Sequence, residues 1–332
     1  MAAKNNTITA IPGIRVGHYE DRDALRGMTV VRFPRQGAIA SVDVRGSAPG
    51  TRETDLLDPM GVVERVHAIV LSGGSAYGLE SASGVMARLE EEDIGFRTGS
   101  SDLVIPIVPA AVIFDLLVGN PLVRPTGDWG YESCRRASSA PVTPGNVGAG
   151  LGATVGKLFG SERAMKGGLG SFAMELPGGI EVGAIVVVNA FGDVVDPKTG
   201  GIIAGARGEM AGQFADSIQV LLNSAGHGPL RGMNTTIGIV ATNARLNKIQ
   251  LRKVAQMAHN GLARAIRPVH TLFDGDTVFA VSVSEREIEG EPGRSLMMVA
   301  VAAQEVLERA IGIAVAEAES VPGIPAARDY GR

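Results

Sequence analysis

Asn234-Thr-Thr-Ile-Gly-Ile-Val-Ala-Thr242 is a run of β-branched and small apolar residues, and it predicts a strand from Thr235 to Thr242. Just beyond it, Asn247 offers an N-cap. Leu251, Val254, Ala255, Ala258, Leu262 and Ile266 then recur at helical spacing, so a helix with one apolar side is expected from Asn247 to Ile266. A strand at Thr277–Val283 and a helix at Leu296–Val315 follow. The last helix is apolar nearly all round, so a sheet and a further layer or subunit must cover it. The pattern repeats upstream. Met28–Phe33, Ala38–Val44, Val66–Leu71, Ala111–Asp115 and Ile180–Asn189 read as strands. Ser72-Gly-Gly-Ser-Ala-Tyr-Gly78 turns Val66–Leu71 into a helix reaching about Glu92, and residues 208–223 can form another helix. Strands alternating with helices, with no low-complexity linker, point to one layered α/β domain over 1–332. The ends, 1–10 and 320–332, are expected to be unfixed.

Composition narrows the function. The chain has 332 residues, 45% hydrophobic and 20% charged, a globular mix that excludes a disordered or acidic-tail protein. Its 45 glycines are about twice the usual share of roughly 7%. They follow no three-residue period, so they signal tight turns rather than collagen. The formal net charge is −4 with no Lys/Arg block, which argues against a nucleic-acid partner. Cys134 is the one cysteine and cannot form an internal disulfide. The polar start, MAAKNNTITA, lacks a signal-peptide stretch. Leu103–Gly119 carries Pro106, Pro109 and Asp115 and reads as buried strands rather than a membrane span. A cytoplasmic protein with no membrane partner is expected.

Several motifs invite chemistry. Ala68–Leu79 has the strand–turn–helix layout of a nucleophile elbow around Ser75, but Tyr77 stands where the last glycine of G-x-S-x-G belongs. The helix start can still border a site through its backbone N–H groups. Gly150–Lys157 fails as a phosphate loop, because Leu151 and Leu158 occupy its key places. His18, His67, His227, His259 and His270 are scattered without metal-ligand spacing, so no metal or other cofactor is implied. Asp274-Gly-Asp276 is either a plain turn or a carboxylate pair in which repulsion raises one pKa and suits proton transfer. Thr235 is only a strand start unless its own peptide bond is cut. A free α-amine of pKa near roughly 8 would then sit beside its hydroxyl.

Taken together, Ile69-Val-Leu-Ser-Gly-Gly-Ser-Ala-Tyr-Gly-Leu-Glu80, Ala149–Lys157, Val186-Val-Val-Asn-Ala190, Asn234-Thr-Thr-Ile237 with Ala241-Thr-Asn243, and Phe273-Asp-Gly-Asp-Thr-Val-Phe-Ala280 resemble, in order, the DmpA-type aminopeptidase family. The branch they resemble most is the nylon-oligomer (6-aminohexanoate-oligomer) hydrolases. The resemblance implies an αββα four-layer sandwich, made as a precursor that cuts itself between Asn234 and Thr235. It would leave fragments 1–234 and 235–332, which stay bound because neither holds a complete core. It assigns Thr235 as nucleophile, Asp276 as base and Asp274 as the acid that orients it. Lys157 and Asn189 are assigned beside the nucleophile, with Asn189 and Tyr77 at the oxyanion. Aminopeptidase branches carry Ser as nucleophile and Ser and Glu as the pair, so this chain sides with the nylon-oligomer branch. A small linear amide or peptide is the implied substrate, and a homotetramer the implied assembly. Three alternatives stay open: an aminopeptidase or amino-acid amidase, an ornithine acetyltransferase-like acyl transferase, and an uncut binding protein.

Overall fold

Ten residues from Thr235 to Ala244 form a fully buried strand, and the rest of the architecture is built around it. In the computed structural model, which describes residues 5–99, 102–223, 234–287 and 291–331, this strand lies inside a six-stranded sheet. The order is Gly168–Leu176, Ile180–Asn189, Thr235–Ala244, Thr277–Arg286, Ala38–Val44, Arg65–Val66. Only the Thr235 and Thr277 strands run parallel; the other neighbours are antiparallel. A second sheet has the order Arg15–Asp21, Arg26–Arg32, Ala68–Ser72, Ala110–Val112, Thr51–Arg52.

Side chains alternate across a strand, and here the alternation separates the layers. Ile185, Val187, Ile237, Ile239, Phe279 and Val281 meet Val31, Ile69, Leu71 and Ile113 between the sheets. Val182, Ala184, Val186, Val240, Val278 and Ala280 point the other way, onto helices α4 (Lys248–Ala265) and α5 (Pro292–Ala316). The outer face of the second sheet packs Met28, Val30 and Val70 against α1 (Ser81–Glu91), with Cys134 of α2 (Gly127–Arg135) in the same cluster. The order of layers is therefore helix, sheet, sheet, helix: the αββα sandwich. Among the described residues no helix is long and apolar enough to cross a membrane.

Strand Ile180–Asn189 lies where the periodicity puts it, and α4 starts at the Asn247 cap, whose side chain accepts from Gln250 N in a capping box. Other expectations need correction. The helix expected at 208–223 is confined to α3, Ser217–Asn223. Strand Gly168–Leu176 was hidden by its glycines, which the helix packing demands: a Cβ on Gly168 or Gly170 would lie 2.4 or 2.0 Å from the Ala314 or Ala310 carbonyl oxygen of α5. The described parts of both ends, from residue 5 and up to residue 331, are tied down. Ile8 and Ile11 are buried between the sheets, and Ile8 N donates to Ser171 Oγ at 2.9 Å. At the other end Ala326 is buried and the Tyr330 ring packs on Phe214. Buried anchors outweigh the Pro and Gly content that suggested loose termini.

Candidate active site

Thr235 opens its strand directly opposite Asn189, the last residue of the neighbouring strand. By the alternation above, both side chains fall on the inter-sheet side at one end of the sandwich. Thr235 is only 5% exposed. Its hydroxyl donates to the carbonyl oxygen of Asn234, and the same oxygen accepts the Gly275 N–H at 2.9 Å. The carbonyl that a Thr235 attack would add to thus already carries two donors.

Gly275 belongs to the Asp274–Asp276 turn, clamped from outside by the chain after Ala38–Val44. Arg45 N donates to Asp276 O at 2.9 Å and Ala48 N to Asp274 O at 2.9 Å. Gly46 has to be glycine, since a Cβ there would sit 2.2 Å from Asp274 O. Asp276 Oδ1 accepts the Thr236 N–H at 2.7 Å. Its Oδ2 accepts the His270 N–H at 3.1 Å and lies 2.8 Å from His270 Nδ1. Asp274 accepts the Thr271 N–H at 2.7 Å. Burial, and next the charge of Asp276, push the Asp274 carboxyl up to about 6. Asp274-Gly-Asp276 is thus a turn that also brings two buried carboxyl groups into electrostatic contact.

Lys157 enters from the neighbouring strand end. Gly156, with φ +69° and only 2.0 Å between an ideal Cβ and Gly205 C, makes the bend that delivers it. Lys157 Nζ donates to Asn189 O at 2.7 Å. Burial lowers its ammonium to about 7, while Asp274, Asp115 and Asp276 pull it back up. The Asn189 side chain is held from both ends: Oδ1 accepts the Thr154 N–H at 3.0 Å and Nδ2 donates to Phe114 O at 3.0 Å.

Thr235, Asn234, Asp274, Asp276, Lys157 and Asn189 therefore converge. Tyr77 does not. It is 57% exposed, with the Arg124 guanidinium 3.7 Å over its ring. Ser75, in the turn of that strand–turn–helix, has a left-handed backbone, φ +54°. Among the described residues, however, no His or carboxylate hydrogen-bonds its hydroxyl. The backbone N–H groups of Gly73, Gly74 and Ser75 already go to Gly27 O, Asp115 Oδ1 and Ile113 O, so that turn is not an oxyanion hole. Nor do the described residues bring together three or more His, Cys, Asp or Glu side chains able to hold a metal.

Sequence reading missed His270, which grips Asp276 with two groups, and His259, whose ring centroid lies 4.8 Å from that of His270. The available signal was position: His270 stands six residues before Asp276 in the same turn region. His227 lies outside the described residues.

The model of peptidase family S58 matches residues 6–328. An uncharacterized aminopeptidase of Mycobacterium leprae (strain TN) is 45% identical over 350 residues, 98% of this chain and 94% of that protein. The 6-aminohexanoate-oligomer endohydrolase of Kocuria sp. (strain KY2) is 33% identical, covering 86% of this chain and 77% of that one. Among solved structures, the L-aminopeptidase D-Ala-esterase/amidase of Ochrobactrum anthropi, described as a variant of the Ntn-hydrolase fold, superimposes with a TM-score of 0.69. It does so at 18% identity, over 98% of this chain and 90% of that one.

Proposed function

The chain belongs to peptidase family S58, and from that membership we propose a self-processing amide hydrolase with Thr235 as its mature nucleophile. That it hydrolyses amide or peptide bonds follows from the family. The finer reading rests on one observation: the Thr235 hydroxyl lies on the carbonyl of its own upstream peptide, inside a cluster of two buried carboxylates and a buried lysine.

In the first reaction Thr235 Oγ attacks the Asn234 carbonyl carbon while Asp276 takes the hydroxyl proton. A carboxylate has about four lone-pair sites. Thr236 N, His270 N and His270 Nδ1 use three of those on Asp276. The Gly275 N–H supports the developing oxyanion; one such donor is worth roughly 3–4 kcal/mol. The C–N bond breaks, the proton passes to the departing amine, and the Asn234 acyl group rests on Oγ as an ester. Water then releases the Asn234 carboxylate and leaves Thr235 with a free α-amine. The products are 1–234 and 235–332, which stay associated because the Ile180–Asn189 and Thr235–Ala244 strands are paired along their length.

Substrate hydrolysis repeats these steps on an external amide through an acyl-enzyme. The α-amine or Asp276 serves as base, Asn189 lies at the oxyanion, and Asp274 and Lys157 set the charge around it. The threonine and the aspartate pair support linear 6-aminohexanoate oligomers as substrates, in line with the oligomer endohydrolase relative. A second reading, an aminopeptidase or amidase on small peptides and amino-acid amides, is favoured by the name of the 45% identical relative. Assaying one sample against linear 6-aminohexanoate oligomers and amino-acid p-nitroanilides tests the choice. Internal cleavage of the oligomers with little p-nitroaniline release is expected. Rapid release with untouched oligomers would select the aminopeptidase, and predominant transfer to an added amine acceptor would select the acyl transferase. A homotetramer belongs to this reading; sedimentation reporting a monomer would remove it.

A further inference from the structure

We propose that His270 is a positioning residue of this reaction, fixing the Asp276 carboxylate in the orientation from which it serves Thr235. The inference rests on the Thr235 reading above. His270 has φ +55°, a conformation uncommon outside glycine in which His, Asn and Asp are enriched. There its backbone N–H and its Nδ1 converge on one oxygen, Asp276 Oδ2, at 3.1 and 2.8 Å. A carboxylate turned away from Thr235 would lose both contacts and the Thr236 N–H together.

The partners also assign the protons. A carboxylate oxygen accepts, so Nδ1 of His270 carries a hydrogen. His259 Nε2 lies 3.0 Å from the Asp43 carbonyl oxygen, so that nitrogen carries one as well. His270 Nε2 and His259 Nδ1 are both buried without a partner among the described residues. The rings meet edge to face. Burial lowers the His259 imidazole to about 4, so it brings no charge up against its neighbour. On the active-site side the group on this pair is Asp276, with Asp274 beside it. On the α4 side are Asp43 and Arg45, with Arg252 Nε 3.7 Å from Asp43 Oδ1. The Nδ1–H of a ring fixed in this way holds Asp276 through Oδ2. His259 is the wall that stops the His270 ring from turning.

The experiment follows self-cleavage in a timed cell-free translation, by the mass of the fragment beginning at Thr235, between pH 5 and 8. Wild type, His270→Asn, His270→Gln and His270→Ala are compared. Asparagine places an N–H donor where Nδ1 is and tolerates positive φ; glutamine places it too far out; alanine has none. His270→Asn should process within about threefold of wild type. Gln and Ala should be slower by about 10–100-fold. Wild-type rate in Gln and Ala, or Asn failing like Ala, would overturn the assignment. Nitrogen-15 imidazole NMR of the wild type decides independently of how the variants fold: one histidine should carry its hydrogen on Nδ1, and finding only Nε2–H tautomers would refute it. If wild type itself yields no fragment, the Thr235 reading fails, whatever the NMR reports about His270.

Discussion

Two clusters of buried charge stand near one another, and their hydrogen bonds set them to different tasks. In the first, Arg26 spends its donors on the fold. Nε donates to Val123 O, Nη1 to Asp115 O and the Asp115 carboxylate, and Nη2 to Val118 O and Asn120 O. Asp115 in turn takes the Gly74 N–H at 2.7 Å, so the pair ties the elbow loop to the strand beside it. In the second cluster the charges face one another and the Thr235 hydroxyl, which we propose as the nucleophile. Asp274 is pushed up to about 6 and Lys157 down to about 7. Asn234 Oδ1, Thr236 Oγ1 and His270 Nε2 are buried without partners among the described residues, as is Asp115 Oδ2 in the first cluster, so what sets the second apart is the Thr235 hydroxyl at its centre. Burial alone does not mark a site. Charges bound into main chain hold structure, whereas perturbed charges gathered around a nucleophile indicate chemistry.

The sharpest way to break the contrast is Thr235→Ala. Amide hydrolysis should fall by on the order of 10⁴-fold or more and the chain should stay whole, while the melting temperature hardly moves; turnover near the wild-type rate would remove Thr235 from its role. Asp276→Asn should slow self-cleavage by about 10²–10⁴-fold, read from timed mass spectra, and normal maturation would acquit it as base. Arg26→Met tests the other cluster. It strands Asp115 without its partner and should cost about 3–5 kcal/mol of stability in denaturant unfolding. The folded fraction should still cut at 234–235, and an equal loss of cutting in folded protein would erase the distinction drawn between the clusters. Next comes the acid limb of the rate. It should lie near 6, where Asp274 ionises, rather than in the ordinary carboxylate range near 4. Lys157 holds the Asp274 value down, so Lys157→Met should raise that limb by up to about one unit; a downward or absent shift would contradict the coupling. Smallest of all is Tyr77→Phe. With its ring exposed under Arg124, less than about a twofold change in rate is expected, and a hundredfold loss would return Tyr77 to the oxyanion.

Where a segment obeys one periodicity, it was legible in advance. Strand Thr235–Ala244 and helix α4 stand within two residues of their expected bounds, because apolar spacing and a capping asparagine are local signals. Gly168–Leu176 was invisible because its small residues answer to the α5 backbone, not to their own neighbours. The motif order brought Thr235, Asp274, Asp276, Lys157 and Asn189 forward as candidates, and the fold gathers them at one end of the sandwich. His270 could not be read that way, since its part depends on a left-handed backbone and a ring packed behind it. Arg26 and Asp115 lie 89 residues apart in the chain, and no local pattern joins them.

The central claim is that a buried mid-chain threonine becomes a terminus by its own action. Denaturing mass spectrometry of the purified, active wild-type protein tests this most directly. Two polypeptides are predicted, one ending at Asn234 and one beginning at Thr235. A single unbroken chain across that bond in fully active enzyme would contradict it.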